Sequence, residues 1–211
     1  MQSTTIKNYN MEWNWSEFLG GTTIGYIVKE AISYWKKKNE LKVNVAQTTR
    51  DIVEIFNIMK HCVSETHFNR FMIFVAEDSA GLIAVGKSIY ATALYEWLNP
   101  EIEDTKSVIS EVQRWRADAE YYEMFCQMLT NGSAELVTRE MPVCKLKDLY
   151  VSCNVKTSKV FHLMTTKDNS KVFYCSVASS TTETSSPSDR LVIDSSVDKL
   201  IEIFRRHKKF Y

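Results

Sequence analysis

The side chains best suited to chemistry in this 211-residue chain are its five cysteines and four histidines. His61, Cys62, Glu65 and His67 lie close together, and Cys144, Cys153, His162 and Cys175 fall in the second half. These are zinc-ligating residue types. A zinc site usually takes two ligands from one local turn, at CxxC or HxxxH spacing, so that a single backbone geometry places both. Neither group has that spacing, and Cys153 and Cys175 read as small core hydrophobes. An odd, scattered set of cysteines in a chain this long reads as reduced thiols, which points to a cytoplasmic setting.

Nucleophilic and acid–base signatures are equally sparse. The chain has no nucleophile elbow, no HExxH and no phosphate-cradling P-loop. Gly20-Gly21-Thr22-Thr23-Ile24-Gly25 precedes a helix pattern but lacks the Lys-Ser/Thr of a P-loop, and reads as a turn into a helix cap. Glu77-Asp78 follows an apolar run, a place where strands carry catalytic carboxylates, yet a polar turn accounts for it. No cofactor or metal is expected, and the balance leans away from an enzyme. One enzyme alternative stands, with a site assembled from distant residues around His61, Cys62 and His67 or around Cys153 and His162.

Three basic clusters are the candidates for phosphate contacts: Lys36, Lys37 and Lys38; Arg114 and Arg116 flanking Trp115; and Arg205, Arg206, Lys208 and Lys209. They support nucleic-acid binding as a second alternative. Against it, 26 basic residues balance 26 acidic ones, so no overall field draws the chain to a polyanion. Two of the clusters also sit where helix C-termini attract positive charge. The aromatic residues Trp13, Trp15 and Phe18, in a polar segment, read as a docking arm, with Trp115 and Tyr122 as partners on a helical face.

The elements that must position these residues follow from periodicity. Ile24, Ile27, Val28, Ala31, Ile32 and Trp35 share one helix face, and Leu41, Val43 and Val45 alternate as a short strand. Thr48 with Asp51 marks a capping-box start for a helix through Val63. Phe71–Val75 reads as a strand, followed by a turn and a buried helix from Ala80 to Leu98; a hairpin returning through Leu82–Val85 is the rival reading. Val108, Val112, Trp115, Ala119, Tyr122, Cys126 and Leu129 recur at spacings of four and three, a heptad seam on a helix of about 25 residues stopped at Asn131-Gly132.

Beyond Gly132 the period becomes two. Leu149–Cys153, Val160–Leu163 and Val172–Val177 read as strands, the last two a hairpin turning at Lys167–Ser170. A Ser/Thr-rich loop spans 179–188, Leu191–Ile193 reads as another strand, and Ser195 or Ser196 caps a closing helix carrying Val197, Leu200, Ile201 and Phe204. The polar first ten residues lack a secretory pattern, and four ionisable groups make Phe71–Leu98 a poor membrane span.

The expected fold is therefore α+β: a helix-rich N-terminal bundle of about four helices with a short sheet, then a smaller β-hairpin region and a closing C-terminal helix. The expected divisions are an arm over 1–21, a helix-rich region over 22–132 and a β-rich region over 133–211, the last two forming either one domain or two. The leading functional expectation is a non-enzymatic, cytoplasmic interaction or assembly protein without a membrane span, self-associating as a homo-oligomer, of the kind found among viral structural or accessory components.

Overall fold

The computed structural model describes residues 45–78, 88–100, 107–183 and 185–207. The docking arm with Trp13, Trp15 and Phe18, the helix over 24–35, Lys36–Lys38, Leu41 and Val43, the turn before Ser88, and Lys208 and Lys209 lie outside these residues.

The architecture is an antiparallel sheet of six strands in the order β3-β2-β1-β6-β5-β4. Its strands are β1 (Arg70–Asp78), β2 (Ile89–Leu98), β3 (Trp115–Arg116), β4 (Ser133–Val137), β5 (Thr157–Thr165) and β6 (Lys171–Ser179). The helices are α1 (Val45–Ser64), α2 (Ala119–Asn131), α3 (Lys145–Ser152) and α4 (Pro187–His207). Because β1 pairs with β6, the sheet is built from both sides of Gly132.

Side chains alternate between the two faces of a strand, and here both faces are buried. Phe71, Ile73, Val75, Phe173, Cys175 and Val177 meet α1 through Ile55, Phe56, Met59 and Cys62, and α4 through Ile193, Val197, Leu200 and Phe204; Phe173 and Phe204 pack at 5.3 Å. Met72, Phe74, Ala76, Ala91, Ala93, Val160, Val172 and Tyr174 form a second core with α2, α3 and the segment 107–114. A bulge where Ile73 pairs with Tyr95 and Phe74 with Ala93 leaves Leu94 as the extra residue. It flips the alternation of β2, so Ala91 and Ala93 face α2 while Tyr95 turns to Phe56 of α1 at 5.5 Å.

This arrangement corrects the helix-rich bundle. Residues 89–98, expected as helix, form β2, whose residues alternate between buried and half-buried as far as Leu94, where the bulge reverses the phase and breaks the period of two. The 25-residue heptad helix is also not there: Val108 and Val112 belong to an irregular segment, Trp115 lies on β3, and the helix begins only at Ala119. Asp118 sets that start, its carboxylate accepting from the N–H of Tyr121 at 2.9 Å. The buried face of α2 is Tyr121, Met124, Phe125 and Met128, one position away from the seam, and Leu129 is exposed.

Two further expected strands are helical. Leu149–Cys153 lies in and just beyond α3, where Leu146 and Tyr150 face inward and Val151 outward. Leu191–Ile193 lies in α4, whose start is a capping box: Ser186 Oγ accepts from Asp189 N at 3.0 Å and Ser186 N donates to Asp189 at 2.9 Å, with Pro187 at the first helical position. Helix α1 begins at Val45, ahead of the Thr48 cap. The β5–β6 hairpin forms where it was read, with Asn169 left-handed at φ 54° and Asp168 accepting from Ser170 N at 3.0 Å.

Candidate functional site

The candidate site is the layer between the sheet and the pair α2–α3. A cavity of about 30 Å³ lies there, walled by Met72 and Phe74 of β1, Val160 of β5, Tyr174 and Ser176 of β6, Tyr121 and Met124 of α2, and Leu146, Leu149 and Tyr150 of α3. Val108, Val112 and Trp115 close it from the side of the 107–114 segment. The walls are apolar except for hydroxyls, the usual make-up of a small-molecule cleft. A water needs about 10–15 Å³ of such space, and a cavity that takes up benzene is about 150 Å³. The cleft as it stands is therefore almost filled by its own side chains.

Its polar groups form a connected set. Tyr121 and Tyr174 share a hydrogen bond between their hydroxyls, Tyr150 bonds Ser158, and Ser158 bonds Ser176 at 2.7 Å. Burial raises the pKa of all three tyrosines, so they stay protonated across the physiological range and act as neutral donors and acceptors. Phe74 stacks on Tyr174 at 5.0 Å, Phe125 meets Tyr174 edge-on at 5.9 Å, and Trp115 meets Tyr121 at 5.1 Å. Such aromatic pairs fix ring orientation beyond simple area burial.

Beside the hydroxyls is a buried ion pair, Arg70 Nε to Glu96 Oε1 at 3.5 Å. Arg70 Nη2 donates to the carbonyl of Cys153, just after α3, at 3.2 Å. Glu96 accepts from Ser107 Oγ at 2.5 Å and from Val108 N at 3.1 Å. Two charges from adjacent strands thus tie both covers of the cleft to the sheet. Charge buried this deeply is tolerated only when paired and hydrogen-bonded.

The sequence-derived candidates distribute unevenly. Trp115 is half-buried in the cavity wall, and Tyr122 packs partly against the same core. Arg114 and Arg116 are exposed at the sheet edge, Arg114 lying 5.5 Å over the ring of Tyr90. Arg206 bonds Asp51 at 3.4 Å and Glu54 at 3.2 Å, so its charge is matched by acids of α1, while Arg205 is exposed. His67 Nδ1 lies 2.9 Å from Asp189 and serves to join the end of α1 to the start of α4.

Asp118, Glu120 and Cys144 have ligand atoms within 4.8 Å of one another. Asp118 already accepts from Tyr121 N and Leu146 N, and Cys144 Sγ from Lys147 N, which caps two helix starts. The positive ends of two helix dipoles favour these groups as caps rather than as cation ligands. Sequence reasoning missed the tyrosine set and the Arg70–Glu96 pair. The one available signal was a charge beside apolar residues in each of two stretches, Arg70 directly ahead of Phe71–Val75 and Glu96 between Tyr95 and Trp97.

The antiparallel sheet, with two helices on one face and a small cleft on the other, is similar in fold to solved GAF domains. Over 74% of this chain and 95% of the other, it is similar to the GAF domain of a two-component sensor histidine kinase from Bacillus halodurans, at 12% identity and a TM-score of 0.50. The GAF region of a membrane protein from Geobacter sulfurreducens matches over 76% and 97%, with 12% identity and a TM-score of 0.51. A red/green cyanobacteriochrome in its red light-absorbing state matches over 76% and 97%, with 12% identity and a TM-score of 0.54. No family model and no curated protein sequence matches the chain. At such identities the likeness is one of fold. It corrects the expectation of a viral component, which rested on a helix-rich assembly: the folds matched are those of a kinase sensor domain, a membrane-protein domain and a photoreceptor.

Proposed function

We propose that the chain is a non-enzymatic binding domain whose cleft between the sheet and α2–α3 takes up a small, uncharged, largely apolar molecule bearing one or two hydrogen-bonding groups. The observation that carries this reading is the convergence of the Tyr121, Tyr150, Tyr174 and Ser176 side chains on one buried, otherwise apolar cavity. Three protonated phenols and a serine offer hydrogen bonds and ring faces, without the nucleophile or tuned acid–base pair that chemistry on a substrate needs. Because the cavity is about 30 Å³, the ligand enters only as a cover shifts. We place the working setting in the cytoplasm, a reading that the five free thiols support; separately, no helix of the described residues is long and apolar enough to cross a membrane.

A second reading follows from the same volume. If the cleft stays shut, the GAF-like body is a packed scaffold, and the protein works by self-association or by docking on another protein. Ligand-observed NMR with indole and phenol, paired with native mass spectrometry for a co-purifying small molecule, separates the two. The binding reading expects saturable indole or phenol signals that vanish in Ser176→Leu, which fills the cleft. Absence of any bound species in both measurements would move the function to the scaffold reading.

A further inference from the structure

The cleft has one cover that differs in kind from the helices. Residues 107–114 cross its side as an irregular strap, contributing Val108 and Val112 to the wall and leading into Trp115. The strap is held to β2 at both ends. Near Ser107 the tie is a single carboxylate, Glu96, which accepts from Ser107 Oγ at 2.5 Å and Val108 N at 3.1 Å. At the other end Ala93 N donates to Val112 O at 2.8 Å, and Arg114 N donates to Thr92 Oγ1 at 3.2 Å. Arg114 is in the left-handed region at φ 51°, a conformation disfavoured for a long side chain. Strain of this kind persists only where surrounding contacts enforce it.

We infer that the 107–114 strap is the gate of the cleft, latched by Glu96 and hinged at Arg114. This inference rests on the binding reading for its purpose, but not for its test. When the latch releases and the Ala93 N–Val112 O bond opens with it, Val108 and Val112 leave the cavity wall together, and Arg114 can relax to an ordinary backbone conformation. Helices α2 and α3 do not need to move, because Asp118 ties them to each other by accepting from Leu146 N at 3.2 Å while capping α2. Arg70 remains engaged with the carbonyl of Cys153 in the open form, which limits the cost of separating the strap from the sheet.

Hydrogen exchange by mass spectrometry on the full chain, without ligand, tests the gate. Ser107→Ala removes one donor to Glu96 and leaves the buried ion pair in place. Exchange of strap amides over 108–114 should then accelerate roughly ten- to a hundredfold, the range for loss of a hydrogen bond to a charged group, with β1, β6 and α4 unchanged. Glu96→Gln should act more strongly at the same amides if it folds, and Ser107→Ala decides the matter if it does not. Unchanged strap exchange in Ser107→Ala, or acceleration spread evenly over the sheet and α4, would overturn the gate. Strap release with no indole or phenol uptake would leave the gate standing and remove the binding reading alone.

Discussion

At the residue scale, most buried polar groups here are joints between elements. Asp189 is the clearest: it completes the capping box of α4 and bonds His67 at the end of α1. Burial alone would raise its carboxyl, but the Ser186 hydroxyl and N–H, with His67, outweigh that and hold it at about 2. A carboxyl is depressed when the charged form gains hydrogen bonds that the unfolded chain lacks. The unfolded value is about 4, so the stabilisation is complete above pH ~4 and is lost as pH falls from there toward 2. Thermal unfolding measured between pH 5 and 2 should show a steep fall for the wild type, and a shallower one for Asp189→Asn, which starts lower at pH 5. Parallel curves would mean that Asp189 is not a source of the acid sensitivity.

At the element scale, boundaries are set by single residues at helix ends. Gly132 ends α2 at φ 80°, and nothing lies within 4 Å of the position a Cβ would take. Any penalty for a side chain there comes from the backbone alone. Gly132→Ala should therefore cost about 1 kcal/mol, read as a shifted midpoint in urea with an unchanged slope. A loss several times larger would show that the β4 start, where Gly132 O accepts from His162 N at 3.0 Å, is disturbed as well. This stop was legible in the sequence as Asn131-Gly132. The matching start at Asp118 was not, because a run of apolar residues at spacings of four and three passed straight across it.

At the scale of the whole molecule, the sheet separates two cores with different thiol environments. Cys62 on α1 and Cys175 on β6 are buried on the α1–α4 side, and burial pushes the Cys62 thiol up to about 12 and the Cys175 thiol well above its usual value. Cys126 and Cys144 lie half-buried on the other side. Since the thiolate is the nucleophile, brief alkylation of the native protein at pH 8 should label Cys126 and Cys144 and spare Cys62, Cys175 and the buried Cys153 until the chain unfolds. Peptide mass mapping reads the pattern directly. Early labelling of Cys62 would mean that α1 detaches from the sheet under native conditions.

The sequence by itself determined what is local: the β5–β6 hairpin, where a polar Lys167–Ser170 turn sits between two apolar runs, the helical stripe from Ile52 to Val63, and the stop at Gly132. Each is fixed by turn chemistry or by a period carried within about ten residues. Tertiary structure decided the rest. Residues 89–98 become a strand because β1 offers a partner, and the bulge at Leu94 reverses the alternation midway, so no single period of two runs through the strand. Val108 and Val112 are buried by a cleft rather than by a helix seam, a difference that spacing cannot express. The Tyr121–Tyr174 pair and the Arg70–Glu96 pair join residues 53 and 26 positions apart. Their partners are chosen by the register of the sheet and the docking of α2, so the candidate site exists only once the strands have aligned.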